Sequence, residues 1–336
     1  MNRFSTFRGA RGASLPVESR LPGFDGATGW LNSPPLGADD LRGRVVLVDF
    51  WTYTCINWLR TLGYVRAWAD RYRERGAVLV GVHSPEFPFE HDVENVRVAA
   101  KDMDVAYPIA LDNDFAVWQA FANRYWPALY LADAEGRIRH HQFGEGGYAE
   151  CEQVIQHLLR EAGATGIPDD LVSVADEGFE AQADWATLRS PETYLGYEQG
   201  ERLVAPGGAK LDEPARFDAP DALELNQWAL DGAWTIGPRA CVLHDEGGGI
   251  SYRFHGRDVN LVLSPPAPEA SVPFRVLIDG RPPGDAHGLD VDEQGHGTVA
   301  QPRLYQLVRQ PGSIADRTFE ITFPAAGVQA YVFTFG

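Results

Sequence analysis

A chain of 336 residues is longer than one hydrophobic core usually serves, so two domains are expected. Its formal net charge of −18 opposes binding to nucleic acid or to an anionic membrane, because both need clustered Lys and Arg to neutralise phosphate. Aromatic residues at 11% and charged residues at 23% fit a globular protein and exclude a disordered one.

The opening MNRFSTFRGARGASLPVESR carries Arg but no apolar run, so it is not expected to act as a secretory signal. Residues 1–21 are expected to form a flexible tail. The longest apolar stretches, 45–48 and 77–82, are strand-length and too short to cross a bilayer. Three widely separated cysteines, Cys55, Cys151 and Cys241, make neither a disulfide framework nor a zinc site. A soluble protein in a reducing cytoplasm is the expectation.

From residue 44 onward, strands and helices alternate, the mark of an α/β layer structure. Residues 45–51 read as a buried strand. Ile56, Leu59, Leu62, Val65, Trp68 and Tyr72 then recur at helical spacing. Further strands are expected over 77–83 and 107–111, and helices over 94–103 and 115–121. A hairpin spans 128–132 and 138–143, and an amphipathic helix over 148–162 closes a domain of residues 22–163. Residues 164–190 lose this rhythm and read as a linker. Over 191–336 the pattern changes class, with alternating runs at 249–254, 259–263, 274–278, 304–308, 319–323 and 328–333 between Gly- and Pro-rich turns. Strands at that spacing without helices indicate an all-β sandwich of jelly-roll type.

The segment Val48-Asp49-Phe50-Trp51-Thr52-Tyr53-Thr54-Cys55 sets a cysteine where a buried strand passes into a helix. Free N–H groups and the positive end of the helix dipole favour thiolate over thiol there, which lowers the expected pKa of Cys55. Taken alone, that placement still favours an inert buried cysteine, the commonest fate of a free cysteine.

These residues resemble the thioredoxin pattern, in which a CxxC follows Phe-Trp. The resemblance assigns Asp49 the part of the buried proton relay and Pro127 that of the cis-proline facing the nucleophile. Further motifs, Gly81-Val-His-Ser-Pro-Glu-Phe87, Asn123-Arg-Tyr-Trp-Pro127 and Ile138-Arg-His-His-Gln-Phe143, are similar to the soluble C-terminal part of DipZ-type proteins. Those join a membrane electron-carrying domain to a thioredoxin-like domain and a carbohydrate-binding-like β-sandwich. The chain departs from that pattern at Trp58, where dithiol members have the resolving cysteine, and at Gly63, where many thioredoxins have Pro. Without a second thiol, a mixed disulfide at Cys55 has to be released by an external thiol reductant.

The expected site is therefore Cys55, Asp49, Pro127 and Glu86, with Trp51, Trp58 and Trp126 contacting a disulfide or peroxide substrate. Glu86 follows the second strand and would either exchange protons with the thiol or cap the next helix. Cys151 and Cys241 read as packed core thiols. His140 and His141 point to opposite faces of a strand and cannot converge on one metal ion, and 285–296 reads as a polar loop. No motif calls for a cofactor. Trp228, Trp234, Tyr252, Phe254 and Tyr305 would supply stacking faces if the sandwich binds a glycan, or core if it does not. Three readings follow: a monothiol oxidoreductase, a glycan- or protein-binding protein with a vestigial redox domain, and a thiol sensor that does not turn over.

Overall fold

The computed structural model describes residues 15–336, and the chain divides between Glu180 and Ala181 into two units. The first contains β1 (Ser19–Arg20), β2 (Gly29–Leu31), α1 (Ala38–Leu41), β3 (Val45–Trp51), α2 (Ile56–Tyr72), β4 (Ala77–His83) and α3 (Val93–Asp102). It continues through β5 (Ile109–Leu111), α4 (Ala116–Ala120), β6 (Ala128–Ala132), β7 (Arg137–Phe143) and α5 (Tyr148–Glu161). The sheet order is β1-β7-β6-β3-β4-β5-β2, the α/β arrangement expected of a thioredoxin-like domain. β3 lies at its centre, parallel to β4 and antiparallel to β6, and all seven of its residues are buried. Strand alternation sends Val46, Val48 and Phe50 into one core, with Val80 and Val82 of β4 and Val117 and Phe121 around α4. Asp49 and Trp51 face the other way.

Two regions differ from expectation. Residues 15–21 are not a free tail: Ser19 and Arg20 pair with Ile138 and Arg137, and Leu15 is buried. Arg139 holds this segment by donating to the carbonyls of Leu15 (2.6 Å) and Pro16 (3.2 Å) while pairing with Asp133. A two-residue strand has no period to read, so the sequence pattern hides it. Residues 1–14 of that tail lie outside the described residues.

The linker expected over 164–190 divides at the unit boundary, and its first half is packed. Buried Glu152 of α5 accepts from Tyr72 Oη (2.6 Å) and from the Val172 amide (2.8 Å). Arg66 of α2 donates to Glu180 at 2.5 Å. Gly63 makes that packing possible, because a Cβ there would stand 2.7 Å from Glu180 Oε2 and 3.5 Å from Val174. The glycine that departs from the usual helix proline thus has a packing reason.

The second unit is all-β, as expected. Its strands are β8 (Thr193–Tyr194), β9 (Ala215–Phe217), β10 (Trp228–Ile236), β11 (Cys241–Leu243), β12 (Gly248–Phe254) and β13 (Asp258–Ser264). They are followed by β14 (Val272–Ile278), β15 (His296–Val299), β16 (Arg303–Arg309), β17 (Arg317–Phe323) and β18 (Gln329–Phe335). One curled path runs β15-β14-β17-β12-β10-β11-β18-β13-β16, with β8 beside β18 and β9 beside β10. β10 carries the chain round the bend. Trp228–Asp231 pairs with β12, whereas the residues from Gly232 onward pair with β9 and β11.

The aromatic residues considered for glycan stacking are core. Trp228 is 1% exposed, and Trp234, Tyr252, Phe254 and Tyr305 are 0% exposed. They share one cluster with Leu230, Ile250, Phe274, Phe319 and Phe333, so none offers a ring face to a sugar.

Gly232 has φ +95°, and a Cβ on it would lie 2.9 Å from the Gly248 Cα. Gly232→Ala is therefore expected to destabilise the C-terminal unit by about 1–3 kcal/mol. A lowered urea midpoint for the second unit, with the first unchanged, is the measurement that checks it.

Candidate active site

Cys55 is the N-cap residue of the 17-residue helix α2, with φ −77° and ψ 110°. β3 ends at Trp51, and the chain turns through Thr52–Cys55, closed by the Cys55 amide on the Thr52 carbonyl at 3.2 Å. The Cys55 carbonyl then accepts the Leu59 amide at 3.0 Å, so the helix begins at the thiol-bearing residue. The thiol Sγ lies 3.9 Å from the carbonyl oxygen of Trp126. The Trp126–Pro127 peptide is cis, as the resemblance implies, and this loop stands against Cys55.

The other two cysteines are unlike it. Cys151 and Cys241 are both free and 0% exposed. Burial pushes the Cys151 thiol up to about 12 and the Cys241 thiol well above its usual range. Cys241 donates instead to the Leu195 carbonyl at 3.3 Å.

Asp49 is wholly buried. Its Oδ2 accepts the Trp58 indole N–H at 2.9 Å and a long bond from Tyr107 Oη at 3.5 Å, while Oδ1 has no partner among the described residues. Burial raises its pKa from 3.8 to about 7, and the Trp58 and Tyr107 bonds pull the other way. Among the described residues, Trp58 donates the one short hydrogen bond that Asp49 accepts. It also stacks on Trp51, with ring centroids 4.3 Å apart, and Trp51 meets the edge of His83 at 4.9 Å.

This arrangement corrects one expectation. Trp51 and Trp58 are both 0% exposed and have no surface to offer a substrate. Trp126 is half-buried beside the thiol and packs at a tilt of 42° against Trp118, with ring centroids 4.4 Å apart. Glu86 is half-buried and does not cap the following helix; Asp92 does, accepting the Glu94 amide at 2.9 Å.

Protein DipZ of Mycobacterium bovis is 35% identical over 329 residues, which is 96% of this chain and 44% of that protein. The chain thus spans less than half the length of its DipZ relative. Residues 20–141 match the AhpC/TSA family and residues 190–336 match the thioredoxin-like C-terminal domain. The thiol-disulfide oxidoreductase YkuV of Bacillus subtilis is 30% identical over 147 residues, 44% of this chain and 99% of that protein. The chain is a thioredoxin-like redoxin. A solution structure of a thioredoxin-like protein in the oxidised form is also similar, at 30% identity and a TM-score of 0.40, covering 43% of this chain and 96% of that one. No described helix of this redoxin is long and apolar enough to cross a membrane.

Two buried groups at the site escaped sequence reasoning. His83 ends β4 opposite Trp51 and is 0% exposed, with both ring nitrogens unpartnered among the described residues; burial lowers its pKa to about 3, so it stays neutral. Glu90, also 0% exposed, accepts from Thr54 Oγ1 at 2.6 Å and from the amides of Glu86 at 2.6 Å and Phe87 at 2.9 Å. Glu90 follows the apolar Phe87-Pro88-Phe89, a signal of burial, but nothing local pairs it with Thr54.

Asp49 binds its proton more tightly folded than unfolded, so folding stability falls as pH rises from about 4 to about 7. Asp49→Asn removes that penalty. The variant is expected to exceed wild type in stability by on the order of a few kcal/mol at pH 8, with the difference closing below pH 4. Urea unfolding of both proteins across that range checks the sign.

Proposed function

We propose that this redoxin is a monothiol thiol-disulfide oxidoreductase in which Cys55 is the nucleophile and an external thiol completes the cycle. One observation carries the reading. The half-buried thiol at the start of α2 faces the cis-Pro127 loop, while the position three residues on holds a buried indole instead of a second sulfur. The helix N-terminus favours the thiolate. That thiolate attacks one sulfur of a substrate R–S–S–R′, forming Cys55–S–S–R and expelling R′S⁻. A second thiolate R″S⁻ then attacks the R sulfur, which returns the Cys55 thiolate and releases R–S–S–R″. Trp58 offers no sulfur for internal attack, and the buried thiols of Cys151 and Cys241 are held largely protonated.

The match of residues 20–141 to the AhpC/TSA family supports a peroxide as a second substrate class. Attack on the O–O bond would give a Cys55 sulfenic acid and an alcohol or water. The external thiol would then condense with it, releasing water and leaving the same mixed disulfide.

Iodoacetamide at pH 7 is expected to modify Cys55 faster than Cys151 and Cys241, as read by peptide mass spectrometry. Wild type is expected to hold a glutathione adduct and to reduce insulin-type disulfides poorly. Trp58→Cys is expected to gain dithiol-driven reduction, compared at equal folded fraction because the lost indole costs roughly 3–5 kcal/mol. Turnover by wild type equal to that of the variant would overturn the monothiol reading.

A further inference from the structure

Glu90 lies in the short turn Pro88–His91 after β4, 36 residues along the chain from Thr54, whose hydroxyl it binds. Its two oxygens are used separately. Oε1 takes the Thr54 hydroxyl, and Oε2 takes the Glu86 and Phe87 amides, which fixes the loop that carries the carboxylate. A carboxylate can answer all three donors at once, because both of its oxygens accept and neither donates.

Thr54 immediately precedes Cys55 in the turn from β3 into α2. The backbone bonds of that turn hold the Cys55 amide on the Thr52 carbonyl and the Cys55 carbonyl on the Leu59 amide, and the Thr54–Glu90 bond anchors the residue just before them. Thr54 is 2% exposed, so its hydroxyl has no water to fall back on. We propose that Glu90 is a positioning residue for Cys55, acting through Thr54: it ties the loop after β4 to the turn bearing the thiol and so sets the thiol's approach to the cis-Pro127 loop. The proposal rests on Cys55 being the reacting thiol.

The test uses the full chain and reads the second-order rate of Cys55 alkylation by iodoacetamide at fixed pH, beside the thermal midpoint of each variant. Thr54→Val keeps the shape and leaves Glu90 in place but removes the hydroxyl; Thr54→Ser keeps the hydroxyl. The expected result is a change in Cys55 rate on the order of tenfold for Thr54→Val, with Thr54→Ser within about twofold of wild type. Glu90→Met should reproduce the Thr54→Val change, and adding Thr54→Val to it should change nothing further, because a single interaction is lost only once. If Glu90→Met does not fold, the threonine pair decides alone. A Thr54→Val protein alkylated at the wild-type rate overturns the proposal, as does a Thr54→Ser protein no better than Thr54→Val. Alkylation needs no disulfide turnover, so a redoxin inactive on disulfides but showing this pattern would lose the proposed function and keep the positioning role.

Discussion

A carboxylate with no exposed surface has to be answered by donors, and at the centre of the redox unit the answer to Asp49 is the indole of Trp58. The bond joins the middle of β3 to the first turn of α2, so it fixes the element that presents Cys55 against the strand from which the chain arrives. Stacking of Trp51 on Trp58, and of His83 edge-on to Trp51, extends the contact across to β4. The bond does not satisfy the carboxylate fully: one oxygen is left without a partner, and the proton is held to about pH 7. A buried acid poised there, beside a helix that starts on a thiol, is what separates this site from an ordinary packed core.

The same indole decides what chemistry the domain lacks. In a dithiol protein the position three residues after the nucleophile is occupied by a second sulfur, one helical turn away on the same face. Here that face is spent on a wholly buried ring and a hydrogen bond to Asp49. On the proposed reading, Cys55 is kept as nucleophile without a partner for internal attack, and an external thiol completes the cycle. At the end of β4, neutral His83 packs edge-on to Trp51, and the buried Glu90 beyond it accepts from Thr54, the residue before the thiol. The all-β unit contributes a different kind of constraint. Its large aromatic side chains are consumed in holding one core together, and the curl of its sheet depends on a left-handed glycine in the middle of β10. Its surface chemistry therefore has to come from residues other than those rings.

Much of the redox unit was legible in the sequence because its signals are local or periodic. The buried strand at 45–51, the helical spacing after Ile56 and the Cys at their junction follow from neighbouring residues alone, and the strand and helix boundaries agree to within a few positions. Resemblance supplied Pro127 and Asp49, which spacing could not have singled out. In the all-β half, runs that alternate, such as β12, β14 and β17, were readable. β10 was not, because Asp231-Gly232 breaks its alternation at the point where it changes partners, and β8, β9 and β11 are too short to show a period.

What the sequence by itself determined was the class of each half and the place of Cys55 where a buried strand passes into a helix, since hydrophobic periodicity and such a junction are properties of adjacent residues. Only the tertiary structure decided the fate of individual side chains. Trp51 and Trp58 could have faced substrate or core, and it is the carboxylate of Asp49, brought within 2.9 Å of the Trp58 indole by strand–helix packing, that draws the latter inside. Glu86 and Glu90 are four residues apart and look alike in sequence, yet the fold buries Glu90 against a hydroxyl 36 residues away and leaves Glu86 half-buried beside it. Ser19–Arg20 and Glu180 likewise gained their places from Ile138, Arg137 and Arg66. Burial and hydrogen-bond partnership depend on which distant segments arrive together, and no local pattern encodes that arrival.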